Sequence, residues 1–212
     1  MLKGPVIGPL VLCGVCFKES NLNFLTKIGV KDSKKLSAKK RSELALKILQ
    51  ECYSHKLIIV SPEEIDDRNE KKITLNRLEE LKMAEIIDDL KPDVVYIDAV
   101  DVNEKRFGKS IGTLLNKTPK KIVSEHEADD TYPIVSAASI VAKVKRDSII
   151  AELKKKYGDL GSGYPSDKKT TDFLRDWIKT KKEVPSFVRK TWETTKKLIE
   201  EELTNKKISD YF

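Results

Sequence analysis

Val135-Ser136-Ala137-Ala138-Ser139-Ile140-Val141-Ala142 opens a stretch, 134–156, that keeps helical spacing. A helix whose first turns carry only small and apolar side chains has no face to offer water, so it must be covered, and a β-sheet is the layer that covers it best. The rest of the chain supplies strands. Apolar runs at 6–17, 57–60, 94–97 and around Ile122 alternate with helical patterns over 44–52 and 74–90, which predicts an α/β architecture. Ser37 is placed to cap one helix, and Ser61, followed by Pro62 and Glu64, announces another. Pro92 stops the helix over 74–90, and Val94-Val95-Tyr96-Ile97 then runs as a continuous apolar strand ending in Asp98. Beyond Tyr157 no strand pattern is present, and the chain reads as helical and basic.

The length of 212 residues suits one main domain with a smaller appendage. The apolar run at 6–17 contains Gly8, Pro9 and Gly14 and falls short of the roughly 20 residues that span a bilayer. With no export signal in view either, a folded soluble protein of the cytoplasm is expected. Three cysteines make a disulfide framework improbable, and Cys13 and Cys16, three apart on a strand, point to opposite faces, so they read as small buried residues rather than a metal or redox pair.

Lys plus Arg number 41 against 34 Asp plus Glu, a net charge of +7. Between residues 143 and 198 stand 16 basic and 8 acidic side chains, so the whole excess belongs to the C-terminal third. Beside Trp177, Phe187 and Trp192, that concentration suggests an anionic partner such as nucleic acid.

Ligands of open α/β sheets gather at the carboxyl ends of strands, where Asp98 stands, and Asp129 lies between a short strand and the small-residue helix. Two carboxylates in one crevice are donors that hard cations such as Mg²⁺ accept, and such ions suit phosphodiester hydrolysis. Each also has a structural alternative: Asp98 as a turn cap with Asp101, Asp129 as a helix cap. His126 reads as a polar strand-end residue, with assistance to such a site as the alternative, and His55 has no evident partner. Gly161-Ser162-Gly163-Tyr164-Pro165-Ser166-Asp167 is a tight loop with one aromatic ring, suited to stacking on a sugar or base, or else a turn whose tyrosine packs inward.

Taken together, Lys31-Asp32-Ser33-Lys34-Lys35-Leu36, Tyr96-Ile97-Asp98, His126-Glu127-Ala128-Asp129, the block from Tyr132 through Asp147, and the loop from Gly161 to Asp167 resemble ribonuclease HII in its archaeal form. The segment from Val184 to Trp192 is similar to that family's C-terminal helical part, and the motifs occur in the family's order along nearly the whole chain. The resemblance implies a ribonuclease H-like mixed sheet flanked by helices, with a catalytic domain over 1–157, a helical basic part over 158–204 and a tail over 205–212. It implies endonucleolytic cleavage of RNA in RNA–DNA hybrids and at ribonucleotides embedded in duplex DNA, leaving 3′-hydroxyl and 5′-phosphate ends. Asp98 and Asp129 would be metal ligands for Mn²⁺ or Mg²⁺. Tyr164 would stack on the sugar beside the ribonucleotide, Lys34 and Lys143 would hold phosphates, and Lys3 and Gly4 would approach the ribonucleotide. A monomer is expected.

The sequence departs from the family at its start. The family opens with a Gly-x-Asp-Glu-Ala-Gly-Arg-Gly strand, and Met1-Leu2-Lys3-Gly4 stands where the last four residues of that motif would be. Two of the family's four acidic ligands are thereby absent, together with a strand central to its sheet, which makes Met1 an unnatural start on this reading. The alternative is a hydrolytically inactive module that binds hybrids or a clamp. At the other end, Ile208, Tyr211 and Phe212 resemble a sliding-clamp binding peptide, with Asn205 in place of its usual Gln. A tail folded back on its own core is the other possibility.

Overall fold

The structure, a computed structural model, describes residues 4–30 and 36–204. Strand β1 (Leu10–Cys16) leads through a 3-10 turn (Glu19–Asn21) to α1 (Asn23–Lys27) and α2 (Ala38–Glu51), then to β2 (Ser54–Val60), α3 (Pro62–Asp67) and α4 (Leu75–Leu90). After β3 (Val94–Asp98), α5 (Glu104–Leu114) and β4 (Lys121–Glu125), the chain is helical: α6 (Ala128–Thr131), α7 (Pro133–Tyr157), α8 (Lys168–Lys181), α9 (Glu193–Ile199) and a final π-type turn (Glu200–Thr204). Ser37, Ser61 and Thr74 each accept a first-turn amide N–H, from Lys40 at 3.3 Å, Glu64 at 3.1 Å and Arg77 at 3.1 Å, so three helix starts are set by bonds within four residues.

The described residues pack as two units, each with its own interior. The larger holds residues 11–59 and 72–145; the smaller holds 4–10, 60–71 and 146–204. In the larger unit β1 pairs with β2, and β3 runs parallel to β4 in a register from Val94 with Lys121 to Asp98 with Glu125. Among the described residues, β1 and β3 are therefore each paired on one side only. Ala137 and Ile140, from the small-residue start of α7, are fully buried in a core with Leu25, Leu44 and Ile48. A second core packs Phe107 and Ile111 of α5 and Ile87 of α4 against Val95 and Ile97 of β3.

The smaller unit corrects two expectations. The strand expected over 6–17 begins only at Leu10, because Gly8 takes φ +88° and Pro9 follows it. Residues before that break are held elsewhere: Val6 and Ile7 donate to Gly163 O at 2.8 and 3.1 Å, and Gly8 donates to Phe187 O at 2.8 Å. The aromatic residues of the basic third pack on one another. Tyr157, Trp177 and Phe187 form a ring cluster with centroids 4.7 to 5.9 Å apart, and Trp192 is 1% exposed with the guanidinium groups of Arg68 and Arg189 over its ring. Phe187 and Trp192 fill a core, and Tyr157 and Trp177 are half-buried.

All three thiols are free. Burial first, and then Cys52, pushes the Cys13 thiol up to about 12, and burial also raises Cys16 and Cys52, so none is a ready thiolate at neutral pH. His55 does have a neighbour, with Nδ1 3.7 Å from Cys52 Sγ. No helix among the described residues is long and apolar enough to cross a membrane.

Candidate active site

Parallel pairing of β3 and β4 brings their carboxyl ends to one edge, where Asp98 faces Glu125 in register. From Glu125 the chain reverses in two residues. His126 is followed by Glu127 in the left-handed region at φ +52°, and α6 starts at Ala128. The amide N–H of Ala128 donates to Asp98 Oδ1 at 3.2 Å, which ties the start of α6 to the end of β3. Asp129, the next residue, is 5% exposed. Asp129 thus follows directly on the residue bonded to Asp98, and Asp101 caps a turn of its own. That residue accepts from Asn103 N at 2.9 Å and from Arg106 Nη2 at 2.6 Å, contacts that lower its titration below the ordinary carboxylate value.

His126 has a role that its position did not reveal. Its Nδ1 lies 3.2 Å from Ala99 O and its Nε2 3.3 Å from Val102 O, while its backbone N–H donates to Glu104 Oε2 at 3.0 Å. The ring spans the loop that follows Asp98 and fastens it to the loop that precedes Asp129. Tyr96 and Tyr132 flank the same edge with ring centroids 4.7 Å apart, and Tyr132 Oη donates to Glu125 Oε2 at 3.0 Å. Neither tyrosine was a candidate from sequence, since only the fold stacks them. Lys143 lies half-buried ten residues into α7, about 15 Å along the helix axis from Pro133.

In the smaller unit, Gly161 and Gly163 take φ +69° and +83°, a conformation that L side chains rarely adopt. The loop they shape is tied by its own side chains. Gly161 N donates to Asp159 Oδ1 at 3.2 Å, Ser162 N to Asp167 Oδ2 at 2.6 Å, and Gly163 N to Thr170 Oγ1 at 3.0 Å. Tyr164 is therefore held outward, 41% exposed, with the Arg146 guanidinium 4.9 Å from its ring centroid and Arg146 Nη2 donating to Ser162 O at 3.3 Å. This excludes a tyrosine packed into the core. Gly4, at φ +124°, belongs to the strand-like entry that Gly163 O holds two residues later. Lys3, Lys34, Ile208, Tyr211 and Phe212 lie outside the described residues.

The loop's ion contacts carry a pH dependence. Lys169 first, then the Gly161 amide and Lys154, hold Asp159 down to about 2, and the Ser162 amide and hydroxyl lower Asp167. Both carboxyls titrate below their ordinary 3.8, so their contribution is complete above 3.8 and is lost as pH falls below it, through about 2 for Asp159. The Gly161 and Ser162 amide resonances are expected to hold constant from neutral pH to about 4 and to move only below it. A midpoint at or above 3.8 would contradict these contacts.

Asp98 and Asp129 match a hard divalent cation in kind, as charged oxygen donors, but not in number. Among the described residues no three His, Cys, Asp or Glu side chains gather where they could hold a metal ion.

Comparison with known proteins adds four findings. The family model described as Ribonuclease HII matches residues 3–195. A curated Ribonuclease HII from Methanocella arvoryzae is 50% identical over 198 residues, covering 93% of this chain and 88% of that one. Among solved structures, the ribonuclease H2 of Pyrococcus horikoshii OT3 aligns with a TM-score of 0.90 at 42% identity, covering 97% of this chain and 96% of that chain. The PCNA:RNase HII complex from Archaeoglobus fulgidus aligns at 0.84 and 42% identity, with 98% and 95% covered.

Proposed function

The chain belongs to the ribonuclease HII family, and from that premise we propose that it cuts the RNA strand of RNA–DNA hybrids and the backbone at single ribonucleotides in duplex DNA. Endoribonuclease activity of the ribonuclease H type comes with the family; the choice of substrate and ends is our reading. Water adds to the phosphorus, and the bond to the 3′-oxygen breaks, leaving a 3′-hydroxyl and a 5′-phosphate. The observation that supports the proposal is the Ala128 amide bond to Asp98 at the carboxyl edge of the parallel pair, one residue from Asp129.

In this reading Tyr164, held outward by its loop, stacks on the sugar beside the ribonucleotide and helps to sense the 2′-hydroxyl, the atom that separates RNA from DNA. Lys34 and Lys143 hold backbone phosphates, and Lys3 and Gly4 approach the ribonucleotide. Mn²⁺ or Mg²⁺ is the proposed cofactor, with Asp98 and Asp129 among its ligands. Among the described residues no third His, Cys, Asp or Glu gathers with these two carboxylates where it could hold the ion. Ile208, Tyr211 and Phe212 are proposed to bind a sliding clamp, in keeping with the Archaeoglobus fulgidus relative that was solved with PCNA. A cytoplasmic monomer is proposed.

A second reading is a module that binds hybrids without cutting them. Cleavage of a duplex with one ribonucleotide, in Mg²⁺ and in Mn²⁺, tests both when the chain is run beside a version preceded by the family's Asp-Glu strand. Cleavage confined to the extended form, with the ends stated above, is the expected result. Binding without cleavage in both forms would establish the second reading. Comparable cleavage by the chain alone would mean that other groups complete the ion's coordination.

A further inference from the structure

A groove of about 760 Å³ in the larger unit runs along β4 and α5, lined by Tyr96, Lys105, Lys109, Lys121, Glu125 and Tyr132 among others. Its floor exists because α5 presses on the strand. A Cβ on Gly108 would fall 2.7 Å from Ser124 Cβ, and one on Gly112 would fall 3.4 Å from Ile122 Cδ1, so a helix with larger residues there would stand further off. Lys105 and Lys109, one helical turn apart on α5, rise beside these glycines, and Lys121 begins β4.

The three lysines are exposed, and none is ion-paired among the described residues. Basic residues nearby in the same unit behave differently. Lys120 pairs with Asp93 at 2.9 Å, Lys56 with Asp89 at 2.5 Å, Lys82 with Glu85 at 3.7 Å and Arg106 with Asp101 at 2.6 Å. Lys121 thus keeps its charge open beside a paired Lys120, and Lys105 and Lys109 keep theirs open on either side of a paired Arg106. The two groove carboxylates lie towards the Asp98 end and are engaged, Glu104 by the His126 amide and Glu125 by Tyr132. Lys105 directly follows Glu104 at that end, so the open lysines run along the groove from beside the carboxylates to Lys121 at the far end of β4.

We infer that this groove is a phosphate-backbone site, at which Lys105, Lys109 and Lys121 grip the substrate duplex away from the bond that is cut. The inference rests on the proposed nucleic-acid function and adds a second contact region to it. Lys121 and Glu125 are four strand residues apart, roughly 13 Å. At about 3.4 Å per nucleotide along a duplex strand, Lys121 meets a phosphate about four nucleotides from the Asp98 end of the groove.

The test is the salt dependence of binding to an RNA–DNA hybrid, with the full chain in chelator so that nothing is cut. Lys105→Gln/Lys109→Gln/Lys121→Gln is compared with the unmodified chain and with Lys56→Gln/Lys82→Gln/Lys120→Gln, which removes equal charge from paired lysines. Each lost phosphate contact flattens the slope of log K against log salt by about 0.9, so the groove variant should lose about 2.7 in slope. Over a fourfold rise in salt the unmodified chain should then lose roughly 40-fold more affinity than the variant. The control should keep its slope within about one. An unchanged slope in a folded groove variant, or an equal loss in the control, overturns the groove site while leaving the nucleic-acid function standing. No binding by the unmodified chain overturns both.

Discussion

Asp98→Asn is expected to lower cleavage by the active form at least about a hundredfold while hybrid affinity stays within about threefold, the scale typical of removing one charge that the transition state needs. Asparagine keeps the Oδ1 that accepts the Ala128 amide, so α6 and Asp129 stay in place and only the charge is lost. Asp98→Ala mixes two effects, because Ala128 is 1% exposed and its amide would lose its partner at a cost of about 1 to 3 kcal/mol. Single-turnover cleavage and fluorescence anisotropy with the same duplex separate chemistry from binding. Retention of more than about a tenth of the activity in the asparagine variant would remove Asp98 from the chemistry.

The largest effect on stability is expected at Trp192. Its indole has two buried guanidinium groups over the ring, Arg68 at 5.3 Å and Arg189 at 4.7 Å, and it caps the approach to α9. The arginines are themselves anchored. Arg68 Nη1 donates to Ile65 O and to Thr191 Oγ1, Arg189 Nε donates to Gly8 O at 3.1 Å, and Asp66 accepts from the Lys190 and Thr191 amides. Trp192→Ala leaves a cavity and two cations without an aromatic face, at a cost of about 3 to 5 kcal/mol. That is a large share of the roughly 5 to 15 kcal/mol that holds a typical domain folded. Trp192→Phe keeps a ring and removes an indole N–H that has no partner, so it should cost only about 1 to 2 kcal/mol. Urea unfolding of the two variants gives the comparison; a loss below about 1 kcal/mol for alanine would mean that the site collapses around the gap.

Several parts of this protein were legible before folding because they depend on a few neighbouring residues. Ser37 and Ser61 cap their helices as their spacing indicates, Pro92 lies between α4 and β3, and the small residues from Val135 to Ala142 mark a buried helix. The motifs were long and ordered enough to indicate the family. Where the chain breaks its own pattern, local reading went too far. The apolar residues before Leu10 look like strand, yet Gly8 turns them towards Gly163 and Phe187, more than 150 residues away. Trp177, Phe187 and Trp192 stand among basic residues in sequence, and only packing shows that Phe187 and Trp192 fill a core and that Trp177 meets Phe187.

By itself the sequence determined the type and order of the elements and the chemical kind of Asp98, Asp129 and Tyr164, because capping, periodicity and side-chain chemistry act within a turn or two of chain. The tertiary structure decided what those residues meet. Asp98 and Asp129 are 31 positions apart, and their segments are linked by the β3–β4 register, the left-handed turn at Glu127 and the Ala128–Asp98 bond. His126 spans a loop, and Lys105, Lys109 and Lys121 share a groove, for the same reason: proximity across a sheet edge is set by long-range pairing and close packing, which no local stretch of sequence encodes.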